Sequence, residues 1–193
     1  MKRKPKVLFF STGNASRSQM AERFLEEVTH GEIAAESTAV KSVDVSPAAV
    51  EVMNEVGIDL MTREAKPVAE SLKEHFAFVV TLSDDAKERS PVWPFTQNLE
   101  HWNLPDPALE ESEVDSKREA FRHVRDDISR KVIEFSRRLE PQLQGATGDR
   151  SRSSAISSFS RNISLIRARE AVPRWKILIT HPSAITGQVS CTI

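Results

Sequence analysis

Between residues 11 and 18 the chain reads Ser11-Thr12-Gly13-Asn14-Ala15-Ser16-Arg17-Ser18, small and hydroxyl-bearing side chains closed by one arginine. Gly13 and Asn14 both tolerate positive φ, so the segment can curl. A curled segment that feeds a helix N-terminus turns several backbone N–H groups toward one point, making an anion nest reinforced by the helix dipole. Arg17 stands at the far end, where its guanidinium can clamp a tetrahedral oxyanion through two N–H bonds. Ser18 is placed either to cap the helix or to bond residue 11. The same eight residues also fit a plain capped turn with a surface arginine, and both readings stand at this level.

The elements that must position this loop follow from apolar spacing. Val7-Leu8-Phe9-Phe10 is a continuous apolar run, suited to a strand buried on both faces. After the loop, Met20, Phe24 and Val28 recur along one helical face. Ile33 to Val40 is expected as a second strand. Ser46 then reads as an N-cap before Pro47, with Val50, Met53 and Val56 as a buried stripe and Gly57 as the stop. A short helix over about Ala69 to His75 leads into a third strand, Ala77 to Leu82, and His101 to Leu104 is a candidate fourth. Phe121, Val124, Ile128, Val132, Phe135 and Leu139 line one face of a long closing helix. Strands alternating with helices predict an α/β fold, a four-stranded parallel sheet flanked by helices. In such sheets ligands collect at the carboxyl ends of strands, which is where residues 11–18 fall.

Composition bounds the rest. The 193 residues carry 27 basic and 28 acidic side chains, a net charge of -1, which excludes a dedicated nucleic-acid or membrane-surface binder. With 39% hydrophobic residues, nine Phe and three Trp, there is enough apolar surface for one core. A single cysteine, Cys191, excludes a disulfide framework and a Cys-based zinc site, and the five histidines lie too far apart for a compact ligand motif. No apolar run approaches the ~20 residues of a membrane span or the ~7–15 of a signal peptide core, so a cytoplasmic monomer is expected. The charge is uneven: residues 145–193 carry +5 and residues 1–144 carry -6. The basic, Ser-rich stretch opens with Gly145-Ala146-Thr147-Gly148, a linker composition. The expected division is a domain over 1–143 and a C-terminal extension over 144–193, disordered or loosely packed. Within the extension, Trp175 to Thr180 has strand-like composition and is a candidate for pairing with a sheet edge.

The run VLFFSTGNASRSQMAE, residues 7–22, resembles the phosphate-binding loop of the low-molecular-weight protein tyrosine phosphatase superfamily, in particular its thioredoxin-coupled arsenate reductases. That loop reads Cys-x5-Arg-Ser. Ser83-x6-Ser90-Pro91 is similar to the reductases' Cys-x6-Cys-Pro, and His101-Trp102-Asn103-Leu104-Pro105-Asp106-Pro107 to the family's His-Trp…Asp-Pro loop. The resemblance covers about residues 5–140. It implies residues 11–18 as the oxyanion-binding set and Ser11, Arg17, Asp106, Ser83 and Ser90 as the catalytic positions. In the family chemistry, the residue at 11 attacks arsenate as a thiolate. Arg17 and the amides hold the oxyanion, and Asp106 protonates the departing oxygen. The residues at 83 and 90 then relay the disulfide to thioredoxin. Ala108 after Pro107, where phosphatases carry an aromatic residue, and the absence of Tyr favour the reductase side.

Every working cysteine of that scheme is a serine here: Ser11, Ser83 and Ser90, with Ser16 a fourth where a further cysteine is common. A serine hydroxyl is a far weaker acid than a thiol, and oxygen forms no disulfide relay. The cradle uses amides and a guanidinium, so arsenate, phosphate or sulfate binding is expected to survive while turnover is lost. Thioredoxin is the partner only of a Cys-bearing parent. The alternatives are a natural phosphate-binding pseudoenzyme and a low-molecular-weight phosphatase relative. No resident metal is expected. The resemblance allows a potassium ion beside Asn14, Glu22 and Ser37, or its replacement by the ammonium of Lys66. Asp84 and Asp85 read as caps of the helix after the third strand, and Trp93 and Trp102 as packing.

Overall fold

The computed structural model describes residues 4–12, 15–40, 45–60, 66–96, 98–108 and 114–144. Gly13, Asn14, the side chain of Ala15 and the whole stretch 145–193 lie outside the described residues, and with them the expectations placed there.

Ten elements alternate along the chain. They are β1 (Lys6–Ser11), α1 (Ala15–Val28), β2 (Ala34–Ala39), α2 (Pro47–Asn54), β3 (Lys66–Pro67), α3 (Val68–Ser71), β4 (Phe78–Thr81), α4 (Asp84–Glu88), β5 (Leu99–His101) and α5 (Val114–Gln144). The strands form one sheet in the order β3-β2-β1-β4-β5, and every pairing is parallel. The α/β expectation holds, with five strands where four were read. The added strand, β3, is two residues long and contains Pro67. Proline donates no ladder bond and is tolerated at an edge, and so short a piece leaves no periodicity to read.

β1 is central because its four apolar residues can be buried twice over. Val7, Leu8, Phe9 and Phe10 are all fully buried. Val7 and Phe9 face the larger core, with Met20, Phe24 and Leu25 of α1 and Phe121, Ile128, Val132 and Phe135 of α5. Leu8 and Phe10 face the smaller one, with Phe76, Val79, Ala86 and Trp93. Each such side chain contributes roughly 1.5–3 kcal/mol on burial. Trp102 joins the larger core against Phe9 and Phe135, at ring separations of 5.7 and 5.8 Å.

The ends of the helices explain where the sequence reading held and where it shifted. Gly57, at φ +78°, closes the turn after α2, where Ile58 N–H donates back to the Met53 carbonyl at 3.0 Å. Pro47 opens α2, but the Ser46 side chain makes no capping bond. The short helix before β4 spans Val68–Ser71, with turns continuing to Glu74. The last strand lies two residues earlier than read. Trp102 and Leu104 extend its pairing with backbone bonds to Thr81 and Leu82, while their side chains enter the core. Their apolar character therefore marked packing rather than the strand itself. No helix among the described residues is long and apolar enough to cross a membrane.

Candidate functional site

The strand order reverses direction at β1. The chain moves from β1 to β2 on one side, then returns to place β4 on the other. The crevice beyond the carboxyl ends of β1 and β4 is the switch point where open α/β sheets bind ligands. Ser11 ends β1, Thr12 follows, and α1 begins at Ala15.

α1 presents the N–H groups of its first turn here, which have no partners within the helix. That turn carries no acidic side chain. Ser11, Ser16 and Ser18 are fully buried, and the Ser11 hydroxyl lies 3.1 Å from that of Ser18, to which it donates. Ser18 thus takes the role of a partner for residue 11. Ser16 accepts the N–H of Ser46 at 3.1 Å. This bond ties the entry to α2 onto the first turn of α1, and it is the interaction Ser46 makes in place of a side-chain cap.

Arg17 is not a surface residue. It is 3% exposed. Nη1 donates to the Leu104 carbonyl at 3.0 Å and Nη2 to Asp106 Oδ2 at 2.9 Å. Its Nε is buried with no hydrogen-bond partner. A buried, unmatched guanidinium N–H costs roughly 1–3 kcal/mol or more. Burial lowers the Arg17 pKa from its ordinary value, and the nearby charges of Asp106 and Asp85 offset part of that. The other Asp106 oxygen accepts the Ala108 N–H at 3.0 Å, so Asp106 shapes its own turn while paired with Arg17.

Ser83 and Ser90 flank α4. Ser83 Oγ caps the helix by accepting the Ala86 N–H at 3.1 Å. Ser90 Oγ accepts the Trp93 indole N–H at 2.9 Å, and Trp93 packs edge-on against Phe10. The cap of α4 is therefore Ser83, not the two aspartates that follow. Asp84 faces outward, binding His101 Nε2 and Asn103 Nδ2, each at 2.9 Å. Asp85 pairs with Arg89 at 2.7 Å, and its carboxyl is held below its ordinary pKa, chiefly by the Thr12 side chain. The sequence offered no means of separating these neighbours, since only the turn of α4 decides which one meets the loop. It also gave no sign of the Leu104 carbonyl, because a backbone group carries no side-chain signature.

Glu22 and Ser37 are both buried and could supply oxygen donors to a monovalent cation. Lys66 does not join them. Its ammonium lies 3.0 Å from Glu36 and 3.4 Å from Glu74, and Glu36, next to Ser37 on β2, faces the opposite side of the sheet. Among the described residues no group of three or more His, Cys, Asp or Glu is arranged to hold a metal.

Residues 6–145 match the family described as low molecular weight phosphotyrosine protein phosphatase. The chain is 35% identical to the arsenate reductase of Shouchella clausii over 130 residues, 67% of this chain and 94% of that protein. It is 33% identical to the arsenate reductase of Bacillus subtilis over the same shares. A solved arsenate reductase in the phosphate-binding state superposes with a TM-score of 0.58 at 31% identity, covering 68% of this chain and 95% of that one.

Proposed function

Because the chain belongs to the low molecular weight phosphotyrosine protein phosphatase family, on the side where the arsenate reductases lie, we propose that it binds a tetrahedral oxyanion at residues 11–18 without reducing it. The observation that carries this reading is the Nε of Arg17, buried and without a hydrogen-bond partner in the first turn of α1, a turn that carries no acidic side chain. An oxyanion would satisfy that N–H together with the amides of the turn, as an anion at a helix N-terminus does. Phosphate, arsenate and sulfate share the required shape. That a relative at 31% identity is a phosphate-binding arsenate reductase supports the choice.

Turnover is a separate matter. A reductase step needs a thiolate at 11 to attack arsenic and a second thiol at 83 to release arsenite as the disulfide forms. Both positions are serine. The Ser11 hydroxyl donates to Ser18, which is no base, and a dialkyl peroxide bond is no substitute for a disulfide. Asp106 remains available as a proton donor only if it leaves Arg17. Thioredoxin would act only on a Cys-bearing relative of this chain. A monovalent cation held by Glu22 and Ser37, with Asn14, would steady the loop electrostatically.

Calorimetric titration with phosphate and arsenate tests the binding reading: both should bind, and Arg17→Ala should abolish binding. Equal affinity in Arg17→Ala removes the guanidinium from the site. Restoring Ser11, Ser83 and Ser90 to Cys together should produce thioredoxin-dependent arsenate reduction. A folded but silent triple variant would argue that this chain derives from an oxyanion binder or phosphatase instead.

A further inference from the structure

We infer that the free edge of β5, together with the cleft between that strand and α5, is the interface for a second copy of this chain. The inference is independent of the anion-binding reading.

β5 closes one side of the sheet, and among the described residues no strand lies beyond it. Val79 N–H donates to the Asn98 carbonyl at 3.0 Å and Trp102 N–H to the Thr81 carbonyl at 2.8 Å. Alternate residues therefore serve β4, and the backbone groups of Leu99 and His101 point the other way. Leu99 adds an apolar side chain that is 66% exposed. An open edge of this kind is a template for another strand unless a charge, a bulge or a proline blunts it. The opposite edge is blunted, since β3 is two residues ending in Pro67. Composition, from which a monomer is expected, is blind to this difference.

The cleft decides which strand fits. It has a volume of about 520 Å³ and is lined by Glu100 and Trp102 on the strand side and by Lys131, Glu134, Arg137 and Arg138 of α5. Glu100 is satisfied internally, by the Trp102 indole N–H at 2.9 Å and by Arg138. Lys131, Glu134 and Arg137 make no ion pair or side-chain hydrogen bond among the described residues, although their three-residue spacing puts them on one stripe. That stripe reads plus, minus, plus. A basic partner would meet two like charges, and an acidic one would meet Glu134. A second copy of the same stripe offers both signs. A twofold axis perpendicular to the sheet sets the two β5 strands antiparallel, an arrangement common at the edge of a parallel sheet, and leaves both α5 helices on one face. The stripes then run in opposite directions, and a shift of one helical turn brings Glu134 of each copy against a cation of the other. The contact is isologous, so each pair forms twice. Leu99 is in register with Val79 of the smaller core, so the two Leu99 side chains meet on the face opposite α5.

The test is sedimentation velocity of the full chain from about 1 to about 200 µM, spanning the micromolar affinities of small interfaces. Wild-type protein should pass from monomer to dimer over that range. Leu99→Lys, which puts a charge on the edge, should weaken association about tenfold or more. Glu134→Lys makes the stripe wholly basic, and Lys131→Glu with Arg137→Glu makes it wholly acidic. Each of these proteins alone should stay monomeric, and an equimolar mixture of the two should recover a dimer. Hydrogen exchange at the Leu99 and His101 amides should slow as protein concentration rises. Wild-type protein that is monomeric throughout overturns the inference. So does association that Leu99→Lys and both stripe variants leave unchanged, or a mixture that fails to dimerise. Slow exchange at those amides at every concentration overturns it as well, because the edge is then covered by the chain itself.

Discussion

Arg17 and Asp106 form the contact on which the site's behaviour turns. A 2.9 Å ion pair between a buried guanidinium and a partly exposed carboxylate places an internal anion on one arm of the group that must receive an external one. Asp106→Asn keeps an acceptor for Ala108 but removes the charge. Phosphate affinity should rise about two- to tenfold, as one competitor and one like charge leave together. A fall on titration would mean that the ion pair preorganises Arg17 rather than competing for it. The serines carry a second prediction. Ser83 was legible as an altered relay position, yet its work in this fold is to cap α4. Ser83→Ala should cost about 1 kcal/mol in denaturant unfolding. Ser83→Cys should cost a similar amount, because a thiol is a poor acceptor. A cysteine-restored protein should therefore be less stable than the serine form.

The packing of α2 against α5 depends on arginines rather than on apolar contact alone. Among the described residues Arg125 is the largest fully buried side chain, reaching the Val52 carbonyl at 2.9 Å and Glu55 at 2.8 Å. Arg122 grips the same Glu55, and Arg118 holds Glu51 one turn earlier. Arg125→Ala strands the buried Val52 carbonyl, leaves Glu55 to Arg122 and empties a large buried volume, and should destabilise by about 3 kcal/mol. Arg125→Met, which restores volume without charge, should recover much of this in the same melt. No reading of the sequence located this ladder: Arg125 lies next to Val124 on a helix whose apolar face was otherwise read correctly. The elements that were legible had a strong local signal. β1 is an uninterrupted apolar run, α1 has four-residue spacing, and α2 is bracketed by Pro47 and Gly57. Those that shifted had weak ones. β3 is a Lys-Pro pair defined only by its neighbour, and β5 is bounded by core residues that belong to the segment after it. The loop of the site was legible in its residue types, but its rigid surroundings were not. Leu104, Asp106 and Ser46 reach it from distant segments that only the folded sheet brings near.

Across the whole molecule, one charged cluster ties three strands to the segment before β4. Lys6 of β1 and Lys66 of β3 share Glu36 of β2 and Glu74. Burial works against both ammonium groups, but the pull of the two carboxylates outweighs it, and both lysines are raised from 10.5. Glu74 is lowered from 4.5, chiefly by its bond to Lys6. The lysine contribution is complete below the unfolded value and disappears as pH rises through the raised folded values. The Glu74 contribution is complete above 4.5 and disappears as pH falls through its lowered one. Thermal melts should therefore lose this stabilisation at both ends and keep it between. Glu36→Gln should cost about 1 kcal/mol at neutral pH and bring the alkaline loss closer to the ordinary lysine range. Added salt should narrow the difference from wild type. The strand order has a consequence for synthesis as well. β1 leaves the ribosome well before its partner β4, which ends only at Thr81. At about 5–20 residues per second, Val7 to Phe10 wait several seconds with one flank unmet. During that interval the nascent chain displays its most adhesive tetrapeptide, and a chaperone would find its handle there.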